Sequence, residues 1–150
     1  MPQTILILSR NNTCRSFVAA KILESSLLKN KFKIISAGID VSNDDIVNPK
    51  AIEFLKYHRY NKNSSHIPQK LNDEMLKISD VIFCFDQDII DSIKKKFLDI
   101  KNKIKTFNSP DPESSVQLAN NFSDEKFNLV MKNILFFSLI WADYLNLKNQ

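Results

Sequence analysis

The residues best suited to chemistry in this sequence are polar side chains between positions 9 and 16, in the run Ser-Arg-Asn-Asn-Thr-Cys-Arg-Ser. An apolar segment precedes this run and a helical pattern begins at Arg15, so the run predicts a turn from a strand into a helix. Such a turn directs backbone N–H groups inward, where the helix dipole adds positive potential. Arg15 adds a planar fork of donors that matches two oxygens of a phosphate group. The candidate phosphate ligands are Arg10, Asn11, Asn12, Thr13, Cys14, Arg15 and Ser16.

The run 9–16 and Asp111 can each be interpreted in two ways. Asn12 suits a residue at positive φ, because its short amide tolerates the left-handed region. The run is nevertheless also compatible with an ordinary turn in which Arg15 is solvated and Cys14 fills a gap. Asp111 lies between two prolines, and each proline fixes φ and restricts the residue before it. Asp111 is therefore either a group held in place for proton transfer or part of a plain rigid turn.

The elements that must position these groups alternate between two patterns. Apolar runs predict short buried strands at residues 5–8, 32–35, 81–85 and 104–107. Helical patterns lie at residues 15–28, 49–57, 89–98 and 124–145. We therefore expect a single α/β domain over residues 1–150, with a four-stranded parallel sheet between two helical layers and the anion site at the carboxyl ends of the strands. In the last helix we expect these aromatic side chains to pack in the core: Phe127, Phe136, Phe137, Trp141 and Tyr144.

Composition excludes several classes of function. The formal net charge of the chain is +4. Its lysines form no basic stripe with interleaved aromatic residues, so we expect no nucleic-acid partner. The apolar runs 5–8 and 134–141 are too short to span a bilayer, and the N-terminus lacks the pattern of a signal peptide. Cys14 and Cys84 fit a reducing compartment without a structural disulfide. We expect a cytoplasmic protein with no metal, no cofactor and no membrane partner.

The run that begins at Ser9 resembles the phosphate loop of the low-molecular-weight protein tyrosine phosphatases, whose pattern is a cysteine, five residues, an arginine and a serine. Ser9 occupies the position of the nucleophilic cysteine. Residues 36–39, Ser-Ala-Gly-Ile, are similar to the Ser-Ala-Gly-Thr of that family, and residues 109–112, Ser-Pro-Asp-Pro, look like its Asp-Pro loop. Further similar segments cover residues 48–55, 66–71 and 80–86, so the resemblance extends over nearly the whole chain.

The resemblance implies a mechanism and shows where this chain departs from it. In the family, the thiolate attacks phosphorus, the aspartate of the Asp-Pro loop protonates the leaving group, and the arginine stabilises the equatorial oxygens. Asp111 and Arg15 would take the last two roles, and Ser16 would hydrogen-bond the nucleophile. The hydroxyl of Ser9 ionises several pKa units above a thiol, so it needs an adjacent base. His58 and His66 lie in neither loop, and we expect neither to be that base.

Three hypotheses follow from Ser9. The preferred one is a pseudophosphatase that binds phosphate, or a phosphorylated protein or small molecule, without turnover. The alternative is an active phosphatase captured as a Cys-to-Ser trapping variant, and the third is an interaction protein with an unused pocket. Asn11 for the family's usual glycine, Phe17 for its usual proline and Glu113 for its usual aromatic favour natural divergence. We expect Arg10 to favour an acidic substrate and Glu113 to disfavour one.

Overall fold

The computed structural model describes residues 1–60, 66–107 and 124–149. Its strands are β1 (Gln3–Ser9), β2 (Phe32–Gly38), β3 (Val81–Cys84) and β4 (Ile104–Thr106). Its helices are α1 (Arg15–Ser26), α2 (Pro49–Tyr57), α3 (Asp73–Ile78), α4 (Gln87–Lys96) and α5 (Asp124–Lys148), with a 3-10 helix at Leu98–Lys103. Asp111 and Glu113, and with them the predicted Asp-Pro loop, lie outside the described residues.

All strands pair in parallel, in the order β2-β1-β3-β4. The central strand β1 places Ser9 beside Gly38 of β2 and Leu8 beside Cys84 of β3. The run of apolar residues in β1 is buried on both faces, which is the pattern of a strand inside a parallel sheet. The four-stranded parallel sheet predicted from the sequence is thus confirmed.

Helices cover both faces of the sheet. Ile5 and Ile7 of β1 point into one core, which is filled from α1, α2 and α5. Leu6 and Leu8 point into the other, which is filled from α3 and α4. The three-layer arrangement follows because successive side chains of a strand point to opposite faces of the sheet.

Several element boundaries differ from those predicted. The short helix α3 was not predicted, although Asn72 caps it by accepting the Met75 N–H at 2.9 Å and Asp73 and Glu74 occupy its first turn. The predicted helix 89–98 begins earlier, at Gln87, and the chain continues into the 3-10 helix instead of one longer helix. The capping residue and the acidic first turn of α3 therefore mark a short helix that hydrophobic periodicity alone does not reveal.

The prediction for α5 was partly wrong. Phe127 and Phe137 are buried and Trp141 packs partly against the core, but the Phe136 side chain is 58% exposed and Tyr144 is 45% exposed. These two side chains belong to the outer face of a helix that contacts the domain with its other side. No helix in the described parts of the chain is both long enough and apolar enough to cross a membrane.

Candidate functional site

The turn between β1 and α1 lies at the carboxyl edge of the sheet, as predicted. Ser9 ends β1 and Arg15 begins α1. The Cys14 side chain makes no cap hydrogen bond to α1, and the first turn of this helix contains no acidic residue. The positive end of the α1 dipole therefore faces the turn without a local counter-charge on the helix.

Ser9 is held by two neighbours inside this turn. Its Oγ lies 2.6 Å from Ser16 Oγ and accepts the Asn12 backbone N–H at 3.2 Å. All three residues are buried. Neither partner is a base, so the Ser9 hydroxyl is oriented but not activated for attack.

Asn12 uses each of its polar groups to fix the turn. Its amide nitrogen donates to Ser16 Oγ at 2.8 Å, and its amide oxygen accepts the Gln69 backbone N–H at 3.1 Å. Its carbonyl oxygen lies 3.1 Å from Nε2 of His66, which therefore carries the proton. Asn12 has a φ of 58°, the left-handed conformation that the sequence predicted for it. The turn is thus tied to β1, to α1 and to residues 66–69.

His66 lies in a partly apolar environment. Its ring packs 4.7 Å from the ring of Phe17, between centroids. Burial lowers the pKa of His66 below its ordinary value near 6.5, although the hydrogen bond with the Asn12 carbonyl opposes that shift. Burial thus disfavours the charged ring, while the Nε2–H group that ties His66 to the turn is present in the neutral ring as well.

Gly38 allows the turn to approach β2 closely. A Cβ built on Gly38 would lie 2.8 Å from the carbonyl carbon of Asn11, 2.9 Å from the carbonyl oxygen of Arg10 and 2.7 Å from Cγ2 of Val41. Two of these three contacts are with backbone of the turn, which no side-chain rotation can relieve. The one glycine of the chain therefore stands where close approach of backbone requires it.

The turn retains unused hydrogen-bond donors. In the described part of the chain, the backbone N–H groups of Asn11, Thr13 and Cys14 donate to no protein acceptor. The carbonyl of Thr13 accepts the Asn48 N–H at 2.9 Å, which joins the turn to the start of α2. Unused donors next to a helix N-terminus are the chemistry of an anion site.

Arg15 is buried at the first position of α1 and pairs with Asp86, which follows β3. Its two terminal nitrogens each lie 2.9 Å from a different carboxylate oxygen of Asp86. The guanidinium carbon also lies 5.4 Å from the ring centroid of Phe85. The sequence predicted that the planar guanidinium of Arg15 binds phosphate. The structure shows that Asp86 holds this guanidinium in place from one side.

Arg10 is placed differently from the other residues of the turn. Its guanidinium bridges Asp88 at 2.6 Å and Asp40 at 3.3 Å across the rim of the turn. The hydrogen bond with Asp88 raises the pKa of Arg10, and the same bond lowers the pKa of Asp88. Two carboxylates therefore face this one cation at the rim of the turn, and the preference of Arg10 for an acidic substrate stays a prediction.

The two cysteines are free thiols buried at different places. Burial raises the pKa of Cys14 to about 12, although the charge of Arg15 opposes the shift. Burial, followed by the charge of Asp86, also raises the pKa of Cys84 to about 12. A thiol with such a pKa is protonated near neutral pH and is a weak nucleophile there.

The structure brings most of the predicted site residues together and adds others. Ser9, Asn12 and Ser16 form one hydrogen-bond network, whereas Arg10 and Arg15 pair with aspartates outside the turn. Asp111 lies outside the described residues. Sequence reasoning gave no role to Asp86 or Gln69, and of His66 it predicted only that it is not the base. Residues 66–71 and 80–86 had been matched to family segments, which was the available signal, but only the folded chain shows which turn groups they contact. No cluster of three metal-binding side chains occurs among the described residues.

The fold is an α/β/α sandwich with a donor-rich turn after its central strand, and comparisons with known proteins show to which family of this fold class the chain belongs. The profile of the family "Low molecular weight phosphotyrosine protein phosphatase" matches residues 4–135. The chain is 29% identical over 106 residues to the probable low molecular weight protein-tyrosine-phosphatase EpsP of Ralstonia nicotianae, covering 71% of this chain and 68% of EpsP. The chain belongs to the low-molecular-weight phosphotyrosine phosphatase family.

Solved structures show the same fold at lower identity. The tyrosine phosphatase Wzb from Escherichia coli K30, in complex with sulphate, is 21% identical, with a TM-score of 0.84 over 97% of this chain and 99% of that one. A Cys-to-Ser mutant of the YwlE arginine phosphatase, with a phosphorylated active-site serine, is 21% identical, with a TM-score of 0.82 over 95% of each chain.

Proposed function

We propose that the turn between β1 and α1 binds a phosphate group, either free or attached to a protein or small molecule. The observation that carries this proposal is the set of unused N–H donors on Asn11, Thr13 and Cys14, in a turn locked by Asn12. The Wzb complex with sulphate supports it, because sulphate is a tetrahedral anion bound by a protein of this fold. The guanidinium of Arg15 lies at the same turn and would donate to phosphate oxygens.

We further propose that the chain binds phosphate without catalytic turnover. The partners of Ser9 Oγ in the described residues are Ser16 and Asn12, and neither can remove its proton. A serine hydroxyl without a base is a poor nucleophile, and the buried Cys14 cannot substitute for it. The cytoplasm is the compartment that we assign to this function, because both buried cysteines are free.

A second candidate function has a specific observation in its favour. The YwlE mutant shows that a protein of this fold is obtained when serine replaces the active-site cysteine, and that its serine carries a phosphoryl group. An active phosphatase with cysteine at position 9 would become, through the same replacement, a variant that retains its ligand. The proposed binding site is identical in both cases, and the two differ only in whether Ser9 is the native residue.

Hydrolysis and binding should be measured on the same three proteins: the parent, Ser9→Cys, and Ser9→Cys combined with Arg15→Lys. The substrate is para-nitrophenyl phosphate, and phosphate binding is followed by calorimetry. We expect the parent to bind without hydrolysis and Ser9→Cys to hydrolyse. Arg15→Lys keeps the charge but loses the planar fork, so it should lower the activity of Ser9→Cys by about 10-fold or more.

These outcomes test phosphate binding and the absence of turnover. Binding without hydrolysis in the parent, together with hydrolysis by Ser9→Cys, supports a phosphatase pocket that lacks one sulfur atom. Steady hydrolysis by the parent would contradict the absence of turnover. Failure of both the parent and Ser9→Cys to bind phosphate would overturn the phosphate site and leave the interaction protein with an unused pocket.

A further inference from the structure

The outer face of α5 carries a continuous apolar stripe. Six large apolar side chains of this helix are each 40–69% exposed. They are Leu129, Phe136, Leu139, Ile140, Tyr144 and Leu147. Spacings of three, four and seven residues place them on one side of α5, opposite the side whose residues are buried against the domain. Single exposed apolar side chains are common on proteins, whereas a contiguous stripe marks a surface that another molecule covers.

The area of the stripe fits the centre of a small interface. A fully exposed aromatic side chain presents about 150–250 Å², and six side chains at the observed exposures leave roughly 500 Å² of apolar surface. The largest apolar patch of an ordinary monomer measures about 300–600 Å², and a specific interface buries about 800 Å² per partner. The stripe and the polar side chains beside it therefore reach the lower limit of a specific interface.

Two charged side chains on the same face of α5 have no ion-pair partner in the described part of the chain. Lys132 and Asp143 form no salt bridge among residues 1–60, 66–107 and 124–149. The positions three and four residues away from each of them in α5 hold uncharged side chains. The two charges lie about 16 Å apart along the helix, so they do not pair with each other.

The stripe is self-complementary when a second α5 runs antiparallel to the first. Two helices related by a two-fold axis present the same patch to each other, so residues equally far above and below the axis meet. With the axis at the level of residues 137–138, the facing pairs are Lys132 with Asp143, Phe136 with Ile140 and Leu129 with Leu147. These pairings agree on the level of the axis to within one residue, which is about 1.5 Å along the helix.

The two charged side chains also lie on matching flanks. At about 3.6 residues per turn, Lys132 and Asp143 fall on the same flank of the stripe. A two-fold axis brings equal flanks of two antiparallel helices together, so each Lys132 meets the Asp143 of the other copy. The interface then contains this ion pair at each end of its apolar centre.

We propose that the outer face of α5 binds a second copy of this chain and forms an antiparallel two-fold dimer. The apolar stripe lies at the centre of the interface, and the pairs between Lys132 and Asp143 fix the direction and register of the two helices. An interface of this limited size predicts a dissociation constant on the order of 10 μM. The dimer does not depend on the phosphate site, because none of the residues 9–16 belongs to α5.

Sedimentation equilibrium of the full chain, from about 1 to 300 μM, tests the dimer. We expect the mass to rise from 17.4 kDa toward twice that value over this range. Phe136→Glu should raise the dissociation constant by about 30-fold or more, because it puts a charge into the apolar centre from both copies. Leu98→Glu is the matched control, since Leu98 is exposed on the 3-10 helix, which packs on the other face of the sheet from α5. The mass of a single chain at every concentration, or equal effects of the two substitutions, would overturn the proposal.

Charge reversals test the antiparallel register. Lys132→Glu and Asp143→Lys each convert both ion pairs of the dimer into like-charged pairs, so each should weaken association by about 10-fold. The double variant restores both pairs with exchanged signs and should associate within about 3-fold of the parent. Weakening in the double variant that equals or exceeds that of the single variants would contradict the pairing of Lys132 with Asp143, and with it the proposed dimer.

A lipid surface is the other occupant that these experiments separate from a second copy. Binding of the parent and of Phe136→Glu to phosphatidylcholine vesicles is measured by cosedimentation. A parent that stays monomeric in solution, binds these vesicles and loses that binding in Phe136→Glu would show that lipid covers the face, which overturns the dimer. The parental urea midpoint is expected for all these variants at a concentration below the dissociation constant, because the replaced side chains are exposed.

Discussion

Replacement of Gly38 by alanine tests whether the turn depends on close approach to β2. The added Cβ would meet Asn11 and Arg10 backbone atoms at 2.8 and 2.9 Å. Ordinary contacts between such atoms lie at about 3.5 Å or more, so the turn must move by about 0.7 Å. The φ of Gly38 is not positive, and alanine can therefore adopt the same backbone. The effect is steric and falls directly on the turn.

The magnitude combines two opposing contributions. Overpacking of this kind costs about 1–3 kcal/mol, while replacing glycine by alanine lowers the entropy of the unfolded chain and returns about 0.4–1 kcal/mol. We expect a net loss of about 1–2 kcal/mol in the free energy of unfolding. A displacement of about 0.7 Å also moves N–H donors out of hydrogen-bond range. The loss of one hydrogen bond to a charged oxygen lowers the affinity for phosphate by about 10-fold or more.

The assay pairs urea denaturation in phosphate-free buffer with calorimetric titration of phosphate. Ile93→Val serves as the control, because Ile93 is buried in α4 and its truncation costs a similar amount of stability without touching the turn. Ile93→Val should bind phosphate as the parent does. If Gly38→Ala binds phosphate with parental affinity, or unfolds at the parental urea midpoint, the reasoning from close approach is refuted.

Three other predictions concern the groups around the turn. Asp86→Asn should lower the free energy of unfolding by about 2 kcal/mol in urea titrations. This loss is smaller than for a fully buried ion pair, because the carboxylate of Asp86 is partly exposed. Added phosphate should restore part of the lost stability, because it gives Arg15 another anion. Cys14 and Cys84, each with a pKa of about 12, should react with a thiol reagent at pH 7 only after the protein unfolds. The pKa of His66 is lower in the folded than in the unfolded chain, so its contribution to stability is complete above about pH 6.5 and falls as the pH drops below that value. Urea titrations should therefore give a lower stability at pH 5 than at pH 8, and His66→Gln should reduce this difference in stability.

Clear outcomes would contradict these three expectations. Parental stability of Asp86→Asn would mean that its pair with Arg15 contributes nothing net. Rapid labelling of either cysteine in the folded protein would contradict the burial that raises its pKa. An unchanged pH dependence in His66→Gln would assign that dependence to other groups.

The fold was largely predictable because its signals are local in the sequence. The apolar run in β1 and the alternation of strands with helices predict a parallel sheet with helices on both faces, and the structure has that architecture. Phe136 and Tyr144 were placed in the core and are exposed instead, because aromatic content does not reveal which side of a long helix faces the sheet. That choice is made by packing against α1 and the sheet.

By itself, the sequence determined the family and the position of the turn between β1 and α1, because a serine, an arginine and a helix start at fixed spacing are local properties. It also determined the left-handed conformation of Asn12, since few side chains tolerate positive φ. The tertiary structure alone decided which distant groups meet the turn. Asp86 on Arg15 and Gly38 beneath the turn come together because β3 and β2 flank β1 in the sheet. Strand order is set by the packing of the whole chain, and no short stretch of sequence contains it.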